Sequence, residues 1–306
     1  MRQVVALFGP TASGKTATAV ALAERSGGEP IAADAMGLYA GLPILTAQPT
    51  ATESARAPHR LVGIWPLDHV GSVAEYAGLA HAAIDEVRAD GQLPILTGGS
   101  GLYLRAALVD LQLPPRVDAE LRSACERLYD GEGAEAAHAA LAALDPAAAA
   151  SIHPNDRRRV VRGLELARSG ASLRPAVDRL WSDELRVPSD VFALDWPSDE
   201  LTRRIELRTE AMLAGGALDE VRALVAHGPE PSSTARTIHG LRDCLAHVEG
   251  RSSLDECRAR IVLQTRRYAR RQRVWLRRIP NVHLLAGVDG PERNAERILE
   301  TVYEQQ

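Results

Sequence analysis

A glycine-rich loop near the amino terminus constrains the fold more than any other feature of the chain. Residues 9–16 read GPTASGKT and directly follow Val4–Phe8, a run of five apolar residues. The pattern G-x-x-x-x-G-K-S/T between a buried strand and a helix is the phosphate-binding loop, whose backbone N–H groups surround phosphate oxygens. The helix predicted over 15–25 directs the positive end of its dipole at the same place. The motif predicts binding of a diphosphate or a polyphosphate and does not distinguish them.

Lys15, inside this loop, is the one lysine of the chain, although lysine and arginine together number 36. A compact ammonium on a flexible stem fits among phosphate oxygens where a planar guanidinium fits badly. Thr16 follows and offers its hydroxyl to a magnesium ion, as this position of the motif does. The sequence therefore predicts Mg²⁺ as cofactor, with Thr16 as a metal ligand.

Bulk composition excludes several classes of protein. The chain has 306 residues, 45% of them hydrophobic, and no apolar run approaches the ~20 residues of a membrane span. The amino terminus enters a strand without a signal-peptide pattern, and the three cysteines lack metal-ligand spacing. A net charge of −4 argues against a generally basic, nucleic-acid-coating protein. We expect a cytoplasmic monomer with no membrane partner.

Short apolar runs alternate with helical periodicity, which is typical of a parallel sheet covered by helices. Strands are predicted at 4–8, 30–33, 61–65, 94–97, 191–195 and, as an edge strand, 282–285. Helices are predicted at 73–90, 200–215, 218–227 and 254–278. Between these sets, 117–179 is rich in Ala and Arg and has only helical periodicity. We predict an α/β fold with a P-loop NTPase-like parallel sheet core, residues 1–113 and 190–306, and an all-helical insertion domain, residues 114–189.

Three loops should meet at the carboxyl ends of the predicted strands, where open α/β sheets bind ligands. They are the phosphate-binding loop, Asp34 after 30–33, and Gly98-Gly99-Ser100-Gly101 after 94–97. Asp34 is interpreted as a magnesium ligand or a general base, or else as a turn or helix-capping residue. The glycine run is either a tight turn or a second place where backbone approaches substrate. Ser100 would bring a hydroxyl into the site.

Two arginine-rich blocks lie at 157–162 and 266–278. A run of charges is usually a solvated helix face, but the second block has few acids to pair with it. The alternative is contact with RNA phosphates and with the substrate diphosphate. Tyr268 and Trp275 within the block either stack on bases or pack in the core.

Together these stretches resemble the tRNA dimethylallyltransferase family over nearly the whole chain. The loop GPTASGKT resembles that of the family, and the order and spacing of the other stretches agree with it. They are LTAQP at 45–49, APHRL at 57–61, GGSGLY at 98–103, IHPND at 152–156 with RGLE at 162–165, RIELRTEAML at 204–213 and RQRVWLR at 271–277.

The resemblance implies transfer of a dimethylallyl group from dimethylallyl diphosphate to the N6 amine of the adenosine 3′ of a tRNA anticodon, with release of diphosphate. Lys15 and Asp34 would be catalytic, Lys15 neutralising the leaving group and Asp34 taking the amine proton. Ser100 stands where the family has Thr and would keep its hydroxyl role. The implied diphosphate ligands are Gly9, Pro10, Thr11, Ala12, Ser13, Gly14, Lys15, Thr16 and Arg208.

The resemblance also implies which residues contact the tRNA, whose target adenosine must be unstacked and flipped to reach the allylic carbon. In the core these are Asp34, Ala35, Met36, Gly37, Ser100, Arg236, Arg270, Arg271, Gln272, Trp275 and Arg277. In the helical insertion, expected to grip the anticodon arm, they are Arg122, Arg158, Arg159 and Arg162.

The chain departs from the family pattern at several positions. Ala35 and Gly37 replace the Ser and Gln of D-S-x-Q-x-Y, and Gln48 replaces a basic residue. The common R-x-I-G-Y is disturbed by about one residue in 236–241, so that its Tyr appears as Leu241. These changes predict altered substrate affinity or tRNA choice, while the diphosphate half of the site is intact.

Three other functions share part of this pattern. An adenylate isopentenyltransferase acting on free adenine nucleotides has the same loop and aspartate but needs no arginine-rich helical insertion. An ATP-dependent P-loop kinase or NTPase, for which the loop is an ATP-binding motif, normally has an Asp at the end of a second strand, which 95–98 lacks. A non-catalytic RNA-binding protein would bind tRNA without transfer.

Overall fold

A five-stranded parallel sheet forms the centre of the protein, in a computed structural model that describes residues 3–174, 177 and 179–304. The strands are β1 (Val4–Phe8), β2 (Glu29–Ala32), β3 (Pro94–Gly98), β4 (Ser189–Asp195) and β5 (Val282–Ala286). Their order is β2-β3-β1-β4-β5, and every neighbouring pair is parallel. The predicted P-loop NTPase-like α/β core is thereby confirmed.

The central strand, β1, determines where a ligand can bind. All five of its residues are buried, because helices cover both faces of the sheet. The chain leaves β1 toward β2 and β3 on one side and later returns to β4 on the other. The carboxyl end of β1, followed by the phosphate-binding loop, is therefore the point at which the strand order reverses, where such sheets form their ligand crevice.

The helices of the sheet-containing unit precede and follow the insertion. They are α1 (Lys15–Ser26), α2 (Pro43–Thr46), α3 (Ala51–Arg56), α4 (Val73–Ala89), α5 (Gly101–Leu108), α10 (Ser198–Ala214), α11 (Ala217–His227), α12 (Leu241–Val248), α13 (Leu254–Leu276) and α14 (Gly290–Glu304). Helices α1 and α14 pack together, and apolar residues of both join the sheet in one cluster that includes Val20, Leu22, Phe192 and Ile298. None of the helices in the described ranges is long and apolar enough to cross a membrane.

A second compact unit runs from Leu111 to Arg179, and the sheet-containing unit holds the described residues up to Asp110 and from Leu180. The helices of this second unit are α6 (Ala119–Glu132), α7 (Ala134–Leu144), α8 (Pro146–Ala149) and α9 (Arg157–Arg168). They pack around buried Cys125, Leu141 and Leu164. Asp156 caps α9 by accepting a hydrogen bond from the Arg159 N–H. Its described residues form no strand, as predicted, but the helices end at Arg168. Residues 175, 176 and 178 of the predicted helical segment lie outside the described residues.

The strand predicted at 61–65 is wrong. This stretch forms only isolated bridges, between Ile31 and Arg60 and between Tyr39 and Trp65. Leu61 and Gly63 have φ of +59° and +60°, a left-handed conformation that an extended strand does not contain. Apolar composition was a misleading signal here, because the segment is a turn in which only Trp65 is buried and Ile64 is exposed. The other predicted strands are confirmed, with small differences at their ends.

Candidate active site

The phosphate-binding loop has the shape that its sequence predicts. Ala12 and Gly14 have φ of +64° and +92°, and the Ser13 N–H donates to the Pro10 carbonyl at 3.2 Å. Gly9 is required by close packing, since a Cβ there would lie 2.9 Å from Ser13 Oγ and 3.3 Å from the Leu194 carbonyl. The loop is thus a tight turn that runs into α1.

Helix α10 and the end of β4 hold this loop in place. Arg204 Nε donates to the Ala12 carbonyl at 2.8 Å, and its guanidinium lies 4.2 Å from the Trp196 ring. Trp196 in turn donates through Nε1 to the Ser13 carbonyl at 2.9 Å. Arg208 donates to Thr11 Oγ1 at 2.9 Å. Arg208, expected as a diphosphate ligand, therefore lies directly beside the loop.

Lys15 and Arg208 give the site its positive charge. Lys15 Nζ donates to the Pro10 carbonyl at 2.8 Å. The net pKa of Lys15 is lowered to about 8, because burial lowers it, Asp34 opposes the shift and Arg208 adds to it. Burial also lowers the pKa of Arg208. Lys15 and Arg208 line the same cavity as a single carboxylate, that of Asp34. This excess of positive charge favours binding of an anionic ligand such as a phosphate group.

Asp34 lies just beyond the carboxyl end of β2, where the Ala33 N–H donates to the Thr97 carbonyl at 2.7 Å. Its Oδ1 accepts a hydrogen bond from the Met36 N–H at 3.1 Å, which forms an Asx turn. The side chain also lines the cavity that contains Lys15, Thr16 and Arg208. The structure thus shows both interpretations of Asp34 at once, a turn residue and a carboxylate facing the site.

Ser100 connects two walls of the site. Its Oγ accepts a hydrogen bond from the Ala35 N–H at 3.2 Å and lies 3.2 Å from Tyr268 Oη. The glycines around it are required by contacts within the protein. A Cβ at Gly98 would lie 2.0 Å from the Ala33 carbonyl, and one at Gly101 would lie 2.5 Å from the Trp275 ring. The glycine run is therefore a closely packed turn.

Gln272 does not have the exposed environment expected of a tRNA contact. It is 3% exposed. Its Oε1 accepts from the Thr11 N–H, and its Nε2 donates to the Gly99 carbonyl, both at 2.8 Å. A Cβ on Gly99 would lie 2.1 Å from that Nε2. Gln272 therefore joins the phosphate-binding loop to the glycine turn, and both polar atoms of its amide are used within the protein.

Replacing Gln272 by leucine should leave the Thr11 N–H and the Gly99 carbonyl without partners. We expect the free energy of unfolding to fall by about 1–3 kcal/mol, the usual cost of unpaired buried polar groups. Urea denaturation measures this loss, with Gln92→Leu at an exposed position as the matched control. An unchanged denaturation midpoint for Gln272→Leu would show that this bridge is not stabilising.

The cavity combines this charged end with an apolar wall. Thr11, Lys15, Thr16, Asp34 and Arg208 line the polar part. The apolar side chains come from α2, α10, α13 and the turn before α12, and they are Leu45, Ile205, Met212, Ile238 and Ile261. Of the sequence-predicted residues, Met36, Gly37 and Gln272 also line this cavity. A small branched hydrocarbon attached to a diphosphate matches both parts.

Of two further wall residues, His239 was not identified as a site residue from the sequence, and Tyr268 was left open between base stacking and core packing. Their rings lie 4.4 Å apart at 47°, and the Arg271 guanidinium lies 5.6 Å from the Tyr268 ring. Burial lowers the pKa of His239, and Arg271 lowers it further. Burial raises the pKa of Tyr268. The disturbed pattern at 236–241 was the available signal for His239.

The predicted tRNA-contacting residues of α13 fall into two sets. Arg270, Arg271 and Arg277 are exposed, together with Arg266 and Arg267. Within the described ranges, none of these five forms an ion pair. Trp275 instead packs inward, 4.8 Å from the Trp181 ring and against Gly101. The exposed set keeps the chemistry of an RNA-contacting surface, whereas Trp275 is a packing residue.

The other predicted arginines also differ in how they are paired. In the helical unit, Arg122 lies 3.3 Å from Glu126, and Arg162 lies 2.8 Å from the buried Glu165. Arg236 of the sheet-containing unit pairs with Glu230. Arg158 and Arg159 are exposed and form no ion pair with any described residue. Of the predicted arginines in the helical unit, Arg158 and Arg159 therefore have charges available for a nucleic acid.

The fold and the site place the protein among P-loop α/β enzymes, with a cationic cradle facing a carboxylate. Comparison with known proteins then identifies the family. The model of the IPP transferase family matches residues 37–279, and the isopentenyl transferase model matches residues 2–62. The chain belongs to the IPP transferase family.

Individual relatives agree with this assignment. The tRNA dimethylallyltransferase of Anaeromyxobacter dehalogenans is 45% identical over 97% of this chain and 99% of its own length. The crystal structure of a full-length tRNA isopentenylpyrophosphate transferase from Bacillus halodurans superposes with a TM-score of 0.71 at 32% identity, over 99% of this chain and 98% of that one. A eukaryotic dimethylallyltransferase acting on tRNA shares the fold, with a TM-score of 0.78 at 23% identity over 98% of this chain and 78% of that one.

Proposed function

We propose that the protein transfers the dimethylallyl group of dimethylallyl diphosphate to the N6 amine of the adenosine 3′ of the anticodon in tRNA, releasing diphosphate. The observation that carries the proposal is the cavity that unites Lys15 and Arg208, the carboxylate of Asp34 and an apolar wall. Each part suits one component of the reaction: diphosphate, attacking amine and hydrocarbon.

The reaction forms a nitrogen–carbon bond, breaks the carbon–oxygen bond to the diphosphate and moves one proton from the amine to a carboxylate. The amine nitrogen attacks the allylic carbon, and the carbon–oxygen bond to the diphosphate breaks, so that its electron pair leaves with the diphosphate. Lys15 and Arg208 stabilise the charge that develops there, together with the loop N–H groups. Asp34 accepts the proton that the amine loses. The Asx turn to Met36 holds this carboxylate in place, and Ser100 positions the Ala35 N–H beside it.

A hydroxyl and a carboxylate of the cavity, those of Thr16 and Asp34, have the oxygen chemistry that suits a magnesium ion. The Thr16 hydroxyl lines the same cavity as Asp34, and the described residues give it no hydrogen bond. No group of three or more His, Cys, Asp or Glu among the described residues could hold a metal alone. When bound, Mg²⁺ would neutralise negative charge on the leaving diphosphate. Thr16 is the proposed protein ligand.

The assay that tests this function supplies Mg²⁺, dimethylallyl diphosphate and unmodified tRNA, followed by digestion and mass spectrometry for dimethylallyl-adenosine. Free AMP is a parallel substrate, and ATP turnover is measured with and without tRNA. Product on tRNA alone supports the proposal. Product on AMP would reassign the protein to adenylate prenylation, and steady phosphate release from ATP would favour a kinase. tRNA binding without any product would indicate a binding protein.

The exposed arginines of α13 are proposed to bind tRNA phosphates. Replacing Arg270 by alanine should weaken tRNA binding and make the slope of log affinity against log salt shallower by about one unit, the value for one lost phosphate contact. Filter binding at several salt concentrations measures both quantities. Arg293→Ala on α14, an exposed arginine paired with Glu296 at 3.1 Å, is the control. If both variants behave alike, the α13 surface is only solvated.

The expectations of a cytoplasmic location and a monomeric state remain predictions. Light scattering of the purified protein at micromolar concentration tests the monomeric state.

The helical unit is proposed to contact the anticodon arm through Arg158 and Arg159, whose charges have no acidic partner among the described residues. Arg122 and Arg162 would contribute only if tRNA phosphates compete with their glutamate partners.

A further inference from the structure

His239 lies in the wall of the cavity without an evident structural task. A short 3-10 turn (Ala235–Thr237) precedes it, and α12 follows it. The Ile238 N–H donates to the Ala235 carbonyl at 2.9 Å, and the Leu241 N–H donates to the Ile238 carbonyl at 3.2 Å. Gly240, with φ of +85°, completes the turn in a conformation that favours glycine. The backbone on both sides therefore fixes the place of residue 239 in the wall, and its imidazole packs against the Tyr268 ring.

The ring nitrogens of His239 are available to a ligand. They make no hydrogen bond to any described residue, although the side chain is half-buried and lines the cavity. Several neighbouring polar groups are already occupied. The Gln48 amide donates to the Gly37 and Tyr39 carbonyls, and the Gln272 amide bridges Thr11 and Gly99.

The loop after β2 offers the adenine little side-chain chemistry. Position 35 carries a methyl group and position 37 no side chain, so neither can donate a hydrogen bond through its side chain. Asp34 is assigned to the proton of the amine, and the Ser100 hydroxyl is used by the Ala35 N–H. An adenine also presents unprotonated ring nitrogens next to that amine, N1 on one edge and N7 on the other, and each is a hydrogen-bond acceptor. The site requires a donor for one of them.

We infer that His239 determines recognition of the base by donating a hydrogen bond from its imidazole N–H to the adenine ring nitrogen beside the amine. This inference rests on the function proposed above. A neutral imidazole has one donor and one acceptor nitrogen, which suits this contact. Burial and Arg271 both lower the pKa of His239, while Asp34 opposes them, and a lowered pKa keeps the ring neutral at neutral pH. The adjacent Tyr268 ring supports the imidazole at 4.4 Å.

The test combines variants of the protein with variants of the substrate. His239→Phe keeps a ring against Tyr268 but removes both nitrogens, and His239→Gln restores a donor. Each protein is assayed with anticodon stem-loop RNA. The position 3′ of the anticodon carries adenosine, 1-deazaadenosine or 7-deazaadenosine. We expect His239→Phe to lower kcat/KM for adenosine about tenfold, the effect of one hydrogen bond to a buried partner, and His239→Gln to recover part of the loss.

The decisive result is the interaction between the two changes. For one of the two deaza substrates, kcat/KM relative to adenosine should fall further with the wild-type protein than with His239→Phe. The reason is that the variant has already lost the hydrogen bond that the deaza change removes. Equal losses for both substrates in both proteins would overturn the inference. The intrinsic effect of the deaza change on the amine is the same for both proteins and cancels in this comparison.

Two controls separate this inference from other failures. His283→Phe replaces an exposed histidine that stacks 5.0 Å from the Phe192 ring outside the cavity, and it should leave kcat/KM unchanged. Thermal unfolding confirms that each variant is folded. If His239→Phe unfolds, His239→Leu, which also lacks a donor, takes its place in the comparison. Absence of transfer by the wild-type protein would refute the proposed function itself, whereas transfer that is indifferent to position 239 refutes only the role of His239.

Discussion

Replacing Asp34 by asparagine is expected to slow prenyl transfer by about 10²- to 10⁴-fold while tRNA binding stays near that of the wild-type protein. This range is the usual contribution of a positioned general base. Asparagine keeps a side-chain oxygen that can accept the Met36 N–H, so the Asx turn should survive. Only the capacity to take the amine proton is lost. Single-turnover rates with saturating RNA measure the effect directly.

Asp34→Ala is the matched variant, because it removes the turn as well as the carboxylate. If the base is what matters, the alanine and asparagine variants should be similarly slow, and the alanine variant should additionally be less stable to urea. A transfer rate near wild type for Asp34→Asn would remove Asp34 as the base and leave it a turn residue.

Replacing Lys15 by alanine is the second change with a large expected effect. Losing one group that stabilises developing charge typically costs about 10²- to 10³-fold in rate. Dimethylallyl diphosphate should also bind more weakly, because the cavity then has Arg208 alone as a cation against Asp34. Rapid-quench kinetics separate the two effects. Unchanged kinetics would contradict the role of Lys15 in leaving-group stabilisation.

The lowered pKa of Lys15 adds a pH dependence with a definite sign. With a pKa of about 8 in the free protein, Lys15 is charged below that pH and increasingly neutral above it. The terminal phosphate, with a second pKa near 6, is already ionised there. Binding above pH 8 must therefore include uptake of a proton, and affinity should fall by about tenfold per pH unit until the pKa of the complex is reached.

Lys15→Arg is the control for this pH dependence, since a guanidinium keeps its proton across the range. Titration calorimetry with dimethylallyl diphosphate between pH 7 and 10 should show a steep fall for the wild-type protein and a flat profile for the arginine variant. A flat profile for both would show that Lys15 stays charged in the free protein.

Local patterns were sufficient to predict most of the sheet and the position of the site. Apolar runs such as Val4–Phe8 identify buried strands, and parallel topology brings their carboxyl ends together, so Asp34 shares a cavity with the phosphate-binding loop and Ser100 contacts the turn after Asp34. The turn at 61–65 was mistaken for a strand, because a run of apolar residues requires neither burial nor extended backbone, and Ile64 is exposed. The bridge made by Gln272 was missed because Thr11 and Gly99 are both far from it in sequence.

His239 was missed for a related reason. Its neighbourhood contains Tyr268 from α13, and no local spacing relates the two residues. Composition alone does not predict which arginines of α13 are unpaired. In the same block Arg270 is exposed, whereas Arg273 pairs with Asp195 at 2.9 Å. Which arginines are free depends on tertiary neighbours.

Helix α13 has a buried face and an exposed face, and residues next to each other in sequence lie on different faces. Arg270 and Arg271 face outward, while Ala269 and Gln272 are buried. Each residue advances an α-helix by about 100°, so one inserted or deleted residue between Ile261 and Tyr268 would rotate everything after it by that angle relative to the buried residues before it. Gln272 would leave the phosphate-binding loop, and an arginine would point at the core. A substitution on the outer face therefore changes that face alone, whereas a change in the length of this helix would disable both faces in a single step.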